Sequence, residues 1–396
     1  DGERLFSGNP GAWYWQGQVN SIDAQASFPY TPGKFGGAFG SGQVVQQSLS
    51  TRPAVLSTKE GIEKDDNSYM GYSIAVGDFT GDGEQGVAAG MPRGAGLLGK
   101  VVLFTWNLTN HQNITGTQLG SYFGYSIAVC DVDGDRTDDL IIGAPLHTEP
   151  NNEGKYEVGR VYVIYQGEDR KQRFRKFKTL DGINSKSRFG LSVASLGDIN
   201  LDGYGDFVVG APYDGPHERG AVYIYHGSKD GVNPKHSQVI FSEDVADPGS
   251  APMSTFGFSV AGGIDLDHND YPDMAVGAYL SNSAYFFRSR PVVKVNAFVQ
   301  FLASNKQIIL DEKNCTLING HRVPCTNIDI CFNYTGLGVP HNINLDVQYV
   351  LDAKKTKDTR MFFIDSENKF TMNDTLQLQR DNRPICRQKM VYIKVR

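Results

Sequence analysis

One spacing, repeated four times, constrains this chain more than any other feature. The segments Met70-Gly-Tyr-Ser73, Phe123-Gly-Tyr-Ser126, Phe189-Gly-Leu-Ser192 and Phe256-Gly-Phe-Ser259 share one pattern. Seven or eight residues after each Gly stands an Asp (Asp78, Asp131, Asp198, Asp265), and twelve residues after each Asp a Gly opens a Gly-Ala-Pro-like turn, at Gly90, Gly143, Gly210 and Gly277. A β-rich run closes each unit, for example Gly159-Arg-Val-Tyr-Val-Ile-Tyr165 and Gly220-Ala-Val-Tyr-Ile-Tyr225. Unrelated hairpins have no reason to keep a fixed offset, so the units are copies of one supersecondary design. Their period of 53 to 67 residues holds four short strands. Tandem four-stranded units pack radially as blades of a β-propeller, which protects their edges. The opening Gly8-Asn-Pro-Gly-Ala-Trp-Tyr-Trp-Gln-Gly-Gln-Val19 resembles the second half of a further blade.

The pattern stops near Arg290. Pro291-Val-Val-Lys-Val-Asn-Ala-Phe-Val-Gln-Phe301 alternates as a half-buried strand, and four of the five cysteines (Cys315, Cys325, Cys331, Cys386) follow it. The expected class is therefore all-β: a partial propeller over 1–290 and a β-sandwich over 291–396. Cys315 and Cys325 could close a short hairpin, leaving Cys331 with Cys386, but spacing alone permits three connectivities. Cys130 is left as an odd thiol. With 45 Gly, 19 Tyr and 22 Phe in 396 residues, short strands and tight turns are expected rather than helical bundles.

A formal charge of −6 argues against a nucleic-acid partner, whose phosphates call for a basic face. The run Arg170-Lys-Gln-Arg-Phe-Arg-Lys-Phe-Lys178 reads as a solvated loop or strand edge. There is no run of 18 apolar residues, and Asp1-Gly-Glu-Arg4 lacks signal-peptide architecture, so no membrane segment is expected in this stretch. Five glycosylation sequons, at Asn107, Asn113, Asn314, Asn333 and Asn373, together with the clustered cysteines, favour an extracellular setting.

Each repeat carries an acidic loop between its first two strands. The second has Asp131, Asp133, Asp135 and Asp139; the third Asp198, Asn200, Asp202 and Asp206; the fourth Asp265, Asp267, Asn269 and Asp273. Oxygen ligands at positions one, three, five and nine suit calcium, with a backbone carbonyl at the seventh completing the shell. No Cys or His sits among them, which argues against zinc. The first loop departs from this pattern: Asp78 and Asp82 remain, but position three is Thr80 and position nine Gly86, so calcium there should be weak or absent. Three ions would cancel the net charge, −6 plus three times +2 being 0. Because one loop supplies every ligand position and no base or nucleophile recurs beside it, the ion reads as structural. No catalytic triad, phosphate loop or metal–His motif is present, and an enzyme is not expected.

These repeats, followed by a Cys-bearing β-domain, resemble the integrin alpha subunit over nearly the whole chain. The resemblance implies the end of blade three through blade seven of a seven-bladed propeller, then an incomplete thigh domain. It also implies pairing with an integrin beta subunit, extracellular-matrix ligands and a cell-surface location, in a full-length chain crossing the membrane once. Trp13 and Tyr14 match the aromatic pair lining the ligand's Arg slot in Arg-Gly-Asp-binding members, and Asp66 matches the carboxylate pairing with that Arg. Asp65 is the register alternative, and Asn67 stands where the family often has a second acid. Tyr72, Tyr122, Tyr125 and Phe258 resemble the aromatic ring that grips a basic side chain of the beta subunit, with Leu191 interrupting it. Two alternatives remain: a laminin-type integrin alpha subunit, and an accessory propeller like that of glycosyl-phosphatidylinositol phospholipase D. Up-and-down blades place the acidic loops opposite the slot, so ligand is expected at the end away from calcium.

Overall fold

The computed structural model describes residues 4–24, 55–149, 155–167, 173–245, 253–301, 308–355, 359–365, 369–380 and 383–394. The chain divides into two compact units, Asp1–Ser289 and Arg290–Arg396.

Among the described residues, the first unit contains five antiparallel sheets. Sheet A has β1 (Arg4–Asn9), β2 (Gln18–Asp23) and β3 (Val55–Ser57); sheet B has β4 (Ile74–Gly77), β5 (Gly86–Met91), β6 (Lys100–Phe104) and β7 (Asn110–Thr115). Sheet C has β8 (Ser126–Cys130), β9 (Asp139–Ala144), β10 (Arg160–Gln166) and β11 (Phe174–Asp181). Sheet D has β12 (Ser192–Gly197), β13 (Asp206–Ala211), β14 (Ala221–Tyr225) and β15 (Gln238–Phe241); sheet E has β16 (Phe256–Ile264), β17 (Asp273–Ala278) and β18 (Ser283–Phe287). Strands pair in sequence order within every sheet, the meander of a propeller blade.

The apolar pattern follows from stacking. Strands β5, β9 and β13 are buried at every residue, which is why Asp139-Leu-Ile-Ile-Gly-Ala144 is continuously apolar after its first residue instead of alternating. Each core lies between two sheets. Phe79, Val101 and Leu103 of sheet B meet Ile127, Leu140 and Ile164 of sheet C, and Val161, Val163 and Tyr165 of sheet C meet Phe207, Val209 and Tyr223 of sheet D.

The repeated motif is what joins the sheets. In Phe-Gly-x-Ser the Ser hydroxyl donates to the carbonyl of the next blade's motif Gly: Ser73 to Gly124, Ser126 to Gly190 and Ser192 to Gly257, each at 2.8 Å. The Gly of the Gly-Ala-Pro turn lies against the same carbonyl, and a Cβ on Gly143 would fall 2.1 Å from the Gly190 oxygen. Only glycine permits this approach, so the fixed offset of twelve is the register at which adjacent blades touch.

In the second unit β19 (Lys294–Phe301), β22 (Cys325–Thr335), β26 (Ile385–Ile393) and β24 (Met361–Phe363) form one sheet, and β23 (Asn342–Val350) pairs with β25 (Thr371–Gln379). A small hairpin joins β20 (Cys315–Thr316) and β21 (Arg322–Val323). Phe332, Tyr334, Tyr349, Leu376 and Val391 share a core between the two larger sheets. Disulfides link Cys315 to Cys325 and Cys331 to Cys386. Strand β19 is not half-buried in the sense expected: Val295, Val299 and Phe301 stay 45 to 50% exposed, because β19 is an edge strand with a single neighbour. Cys130 is buried at the end of β8.

The basic run splits. Residues 170–172 lie outside the described residues, while Lys176 stacks over Tyr165 and Lys178 donates to the carbonyls of Asp230 and Val232. These cations serve the fold rather than a phosphate-binding face.

Candidate ligand, metal and partner sites

The four acidic loops sit at one end of sheets B to E. At position one, the Asp carboxylate curls the loop around itself: Asp131 accepts from the backbone N–H of Gly134, Asp135 and Arg136, and Asp198 and Asp265 repeat this with the fifth and sixth residues. At position nine the acid is buried, with Asp139 and Asp206 0% and Asp273 2% exposed. Each bridges two N–H groups, one at the loop's second residue and one at or just beyond the end of the third strand. Asp139 accepts from Val132 and Gln166, Asp206 from Ile199 and Gly227, and Asp273 from Leu266 and Ser289, all at 2.9 to 3.0 Å.

These satisfied oxygens coexist with unsatisfied ones. Asp133 Oδ1 and Asn200 Oδ1, both at position three, are buried without a hydrogen-bond partner. A buried oxygen left bare costs about 1–3 kcal/mol, so its presence at the same position of two loops calls for a cation. Asp131, Asp133 and Asp139 bring carboxylate oxygens within 4.8 Å of one another, and so do Asp265, Asp267 and Asp273. Burial pushes the Asp139 carboxyl up to about 7, with Asp133 and Asp135 adding to the rise and its two N–H bonds opposing it. Burial also raises Asp206, which His226 counters from 3.2 Å. The donor set is all oxygen and fits calcium. Asp135 and Asp202 face their own loops, accepting from Thr137 and Tyr204, and Asn269 donates to the Ser289 carbonyl.

Residues 78–86 are built differently. The Thr80 hydroxyl and N–H donate to Asp78, which also accepts from Gly81 and Gly83, while Asp82 accepts from Glu84. Gly86 contributes no carboxylate.

At the opposite end of the blades two loops meet. Trp13, Tyr14 and Trp15, between β1 and β2, all adopt left-handed backbone with φ of 51°, 56° and 60°, a conformation that bulky residues adopt only when their surroundings impose it. What imposes it is the segment before β4: Asn67 N–H donates to the Tyr14 carbonyl, Tyr69 to Trp15 and Met70 to Gln16. Asn67 and Tyr69 are left-handed as well. Gln16, 5% exposed, ties the loops together. Its Nε2 donates to Asp66 Oδ1 at 2.7 Å and to the Ile62 carbonyl, and its Oε1 accepts from Gly61 N–H. Asp66 is thereby held beside a loop whose Trp13 and Tyr14 stay 41% and 73% exposed.

Along the same end runs a chain of aromatic rings. Tyr72 and Tyr125 lie 4.9 Å apart and Tyr122 stacks on Tyr125 at 6.5 Å. Partial burial and the Tyr125 hydroxyl both raise the Tyr72 phenol. Phe258 packs on Tyr279 at 4.5 Å, Tyr213 interacts with Tyr279 and Tyr125, and the Arg188 guanidinium lies 5.3 Å over Tyr213. Tyr213 thus adds an aromatic ring near the interruption at Leu191, bonded to Tyr279 and covered by Arg188.

Comparison with known proteins decides the family. The integrin alpha Ig-like domain 1 model matches residues 289–396, and the FG-GAP repeat model matches 123–164 and 189–225. Integrin alpha-PS2 of Drosophila melanogaster is 49% identical over 99% of this chain and 28% of its own length. The chain belongs to the integrin alpha family. Integrin alpha-5 of Xenopus laevis is 36% identical and integrin alpha-8 of Homo sapiens 37%, covering 99% and 98% of this chain. The chain spans 36% and 35% of the length of those two relatives. Among solved structures, the V. cholerae biofilm matrix protein Bap1 matches at TM-score 0.25 and 12% identity, over 86% of this chain and 59% of that one.

Within this integrin alpha segment, Asn107, Asn113, Asn314 and Asn373 are exposed, whereas Asn333 is half-buried in β22 between two paired strands. The sequence reading missed Gln16, Tyr213 and Tyr279. The two tyrosines follow the repeated turn, in Gly210-Ala-Pro-Tyr213 and Gly277-Ala-Tyr279, so that turn carried a usable signal. Gln16 had none, since its role depends on a partner 50 residues away. Among the described residues, no helix is long and apolar enough to cross a membrane.

Proposed function

We propose that this segment is the ligand-contacting head of an adhesion-receptor alpha subunit that pairs with an integrin beta subunit at the cell surface and takes matrix proteins through an Arg-Gly-Asp motif. Asp66 is the carboxylate for the ligand's Arg, and Trp13 and Tyr14 are the walls of its slot. The observation carrying this reading is the Gln16 bridge, which fixes Asp66 against the aromatic loop from two distant stretches of chain. A carboxylate beside exposed rings suits a guanidinium, which pairs with the acid in a fork and stacks on a ring face.

Calcium fills the loops at 131–139, 198–206 and 265–273 and stiffens the end of each blade opposite the slot. There the ion supplies positive charge for the buried carboxylates; Asp131, Asp133, Asp135 and Asp139 and their counterparts hold it. Tyr72, Tyr122, Tyr125 and Phe258, with Tyr213 and Tyr279, receive a basic side chain of the beta subunit. The blades are the end of the third through the seventh of a seven-bladed ring, followed by an incomplete thigh domain, and glycans occupy the sequons, Asn333 being the least accessible.

The test is binding of an Arg-Gly-Asp ligand to the full receptor with and without Asp66→Ala. Loss of binding at normal surface expression is the expected result. Unchanged binding would move the site away from Asp66, and no binding by the unmutated receptor would favour a laminin-type subunit.

A further inference from the structure

We infer that the first acidic loop, 78–86, takes no calcium and that the guanidinium of Arg173, reaching across from the neighbouring blade, is its resident positive charge. The inference rests on the calcium reading of the three later loops and concerns the one that departs from them.

Four observations converge on it. Arg173, just before β11 of sheet C, lays its guanidinium against the fourth residue of the sheet B loop: a Cβ on Gly81 would fall 2.7 Å from Nη1 and 3.0 Å from both Cζ and Nη2. The same guanidinium is held by the Gln166 side chain at 3.4 Å and the Gly167 carbonyl at 3.3 Å. Its charge stabilises ionised Asp82, after the larger effects of hydrogen bonds from Thr80 and Glu84.

Position nine has no room for a side chain. A Cβ on Gly86 would fall 2.2 Å from the Phe104 carbonyl oxygen, so β6 occupies the space a carboxylate would need to enter. Beside Gly86 is a hollow of about 260 Å³, and Thr80, Asp82, Glu84, Phe104 and Trp106 are among the residues that line it.

The contacts that a position-nine acid makes elsewhere are replaced by a staple from sheet C. Asp138 accepts from the Asp78 N–H at 2.7 Å, and Gln166 Nε2 donates to both the Asp78 and Asp138 carbonyls. Position three agrees. The Thr80 hydroxyl lies between the two acids, 3.3 Å from Asp78 Oδ1 and also bonded to Asp82, whereas Asp133 and Asn200 leave a bare oxygen at this position in the second and third loops. The first loop is thus internally satisfied and carries its own cation.

The test uses the extracellular portion of the receptor paired with its beta chain, so that the beta chain's own ions cancel in the comparison. Equilibrium dialysis should show that Asp78→Asn/Asp82→Asn binds as many calcium ions as wild type, while Asp131→Asn/Asp133→Asn binds one fewer. Loss of one ion from the first pair would overturn the inference. Loss from neither would overturn the calcium reading of the second loop instead, and Arg173 then decides the matter by itself. Arg173→Met, which keeps the packing, should lower the thermal midpoint by about 2–4 °C equally at limiting and at excess calcium, and Arg173→Lys, which keeps the charge, should lose less. A midpoint restored by excess calcium, or a Met variant as stable as wild type, would show that the guanidinium is not the loop's cation.

Discussion

The loops at 78–86 and 131–139 occupy equivalent places in adjacent blades, yet they solve the same electrostatic problem in different ways. The second crowds Asp131, Asp133 and Asp139 together, buries the last of them and leaves an Asp133 oxygen bare. The first has fewer acids, satisfies them with backbone donors and a threonine hydroxyl, and rests against Arg173. On the proposed calcium reading, a repeat keeps its hairpin while exchanging a diffusible ion for a side chain of the neighbouring blade. What the exchange gives up is the buried position-nine carboxylate, whose two N–H bonds join the loop to the end of the third strand in the other blades.

The largest effect should follow calcium removal. A ligand at a hundredfold excess over its dissociation constant stabilises by about 2.7 kcal/mol per site, so stripping three loops should lower the thermal midpoint by many degrees. A small effect would collapse the distinction between the two kinds of loop. Next comes Asp139→Ala, which orphans the buried N–H groups of Val132 and Gln166 and should cost about 2–5 kcal/mol by denaturant unfolding.

Third is a pH effect confined to calcium-free protein. Burial raises the folded pKa of Asp139 to about 7, well above the usual carboxylate range. A raised carboxyl favours the folded state when protonated, so this contribution is fully present below the unfolded value and lost as pH rises through about 7. Calcium-free protein should thus gain up to about 1.4 kcal/mol per unit on acidification from pH 7 towards pH 5, and calcium should abolish the gain. Fourth, Gly86→Asp should fail to create a calcium site and should destabilise by about 1–3 kcal/mol through its clash with Phe104. The smallest change is expected for Asp82→Asn, within about 0.5 kcal/mol, since its main partners are a threonine hydroxyl and one N–H on an exposed loop.

Much of this difference was legible in the sequence. Thr80 and Gly86 stand where the other loops carry ligands, and the constant offset of twelve announced the blades. The physical reason for that offset, a glycine pressed against the next blade's carbonyl, needed coordinates. Arg173 was not legible, because a basic run reads as one solvated segment until the fold shows which neighbour each cation meets. Leu191 looked like a gap among the aromatics, but Tyr213, more than twenty residues later, brings a ring to Tyr279 from a different turn. The position-nine acids were read as ligands alone, and their bonds to Gln166, Gly227 and Ser289 depend on strand register that local pattern does not carry. At the other end of the blades, Trp13, Tyr14 and Asp66 came from family resemblance, and Gln16 joins them through contacts 45 to 50 residues apart in sequence.

Whether Asp66 at that end takes the ligand's Arg is decided by a double-mutant cycle. Affinity for an Arg-Gly-Asp ligand and for the same ligand with citrulline in place of Arg would be measured on the full receptor, wild type and Asp66→Asn. If Asp66 pairs with the ligand's Arg, citrulline weakens wild type strongly and the variant little, with a coupling of about 1–3 kcal/mol. Additive losses, with citrulline weakening both receptors equally, would place the Arg elsewhere and contradict the account.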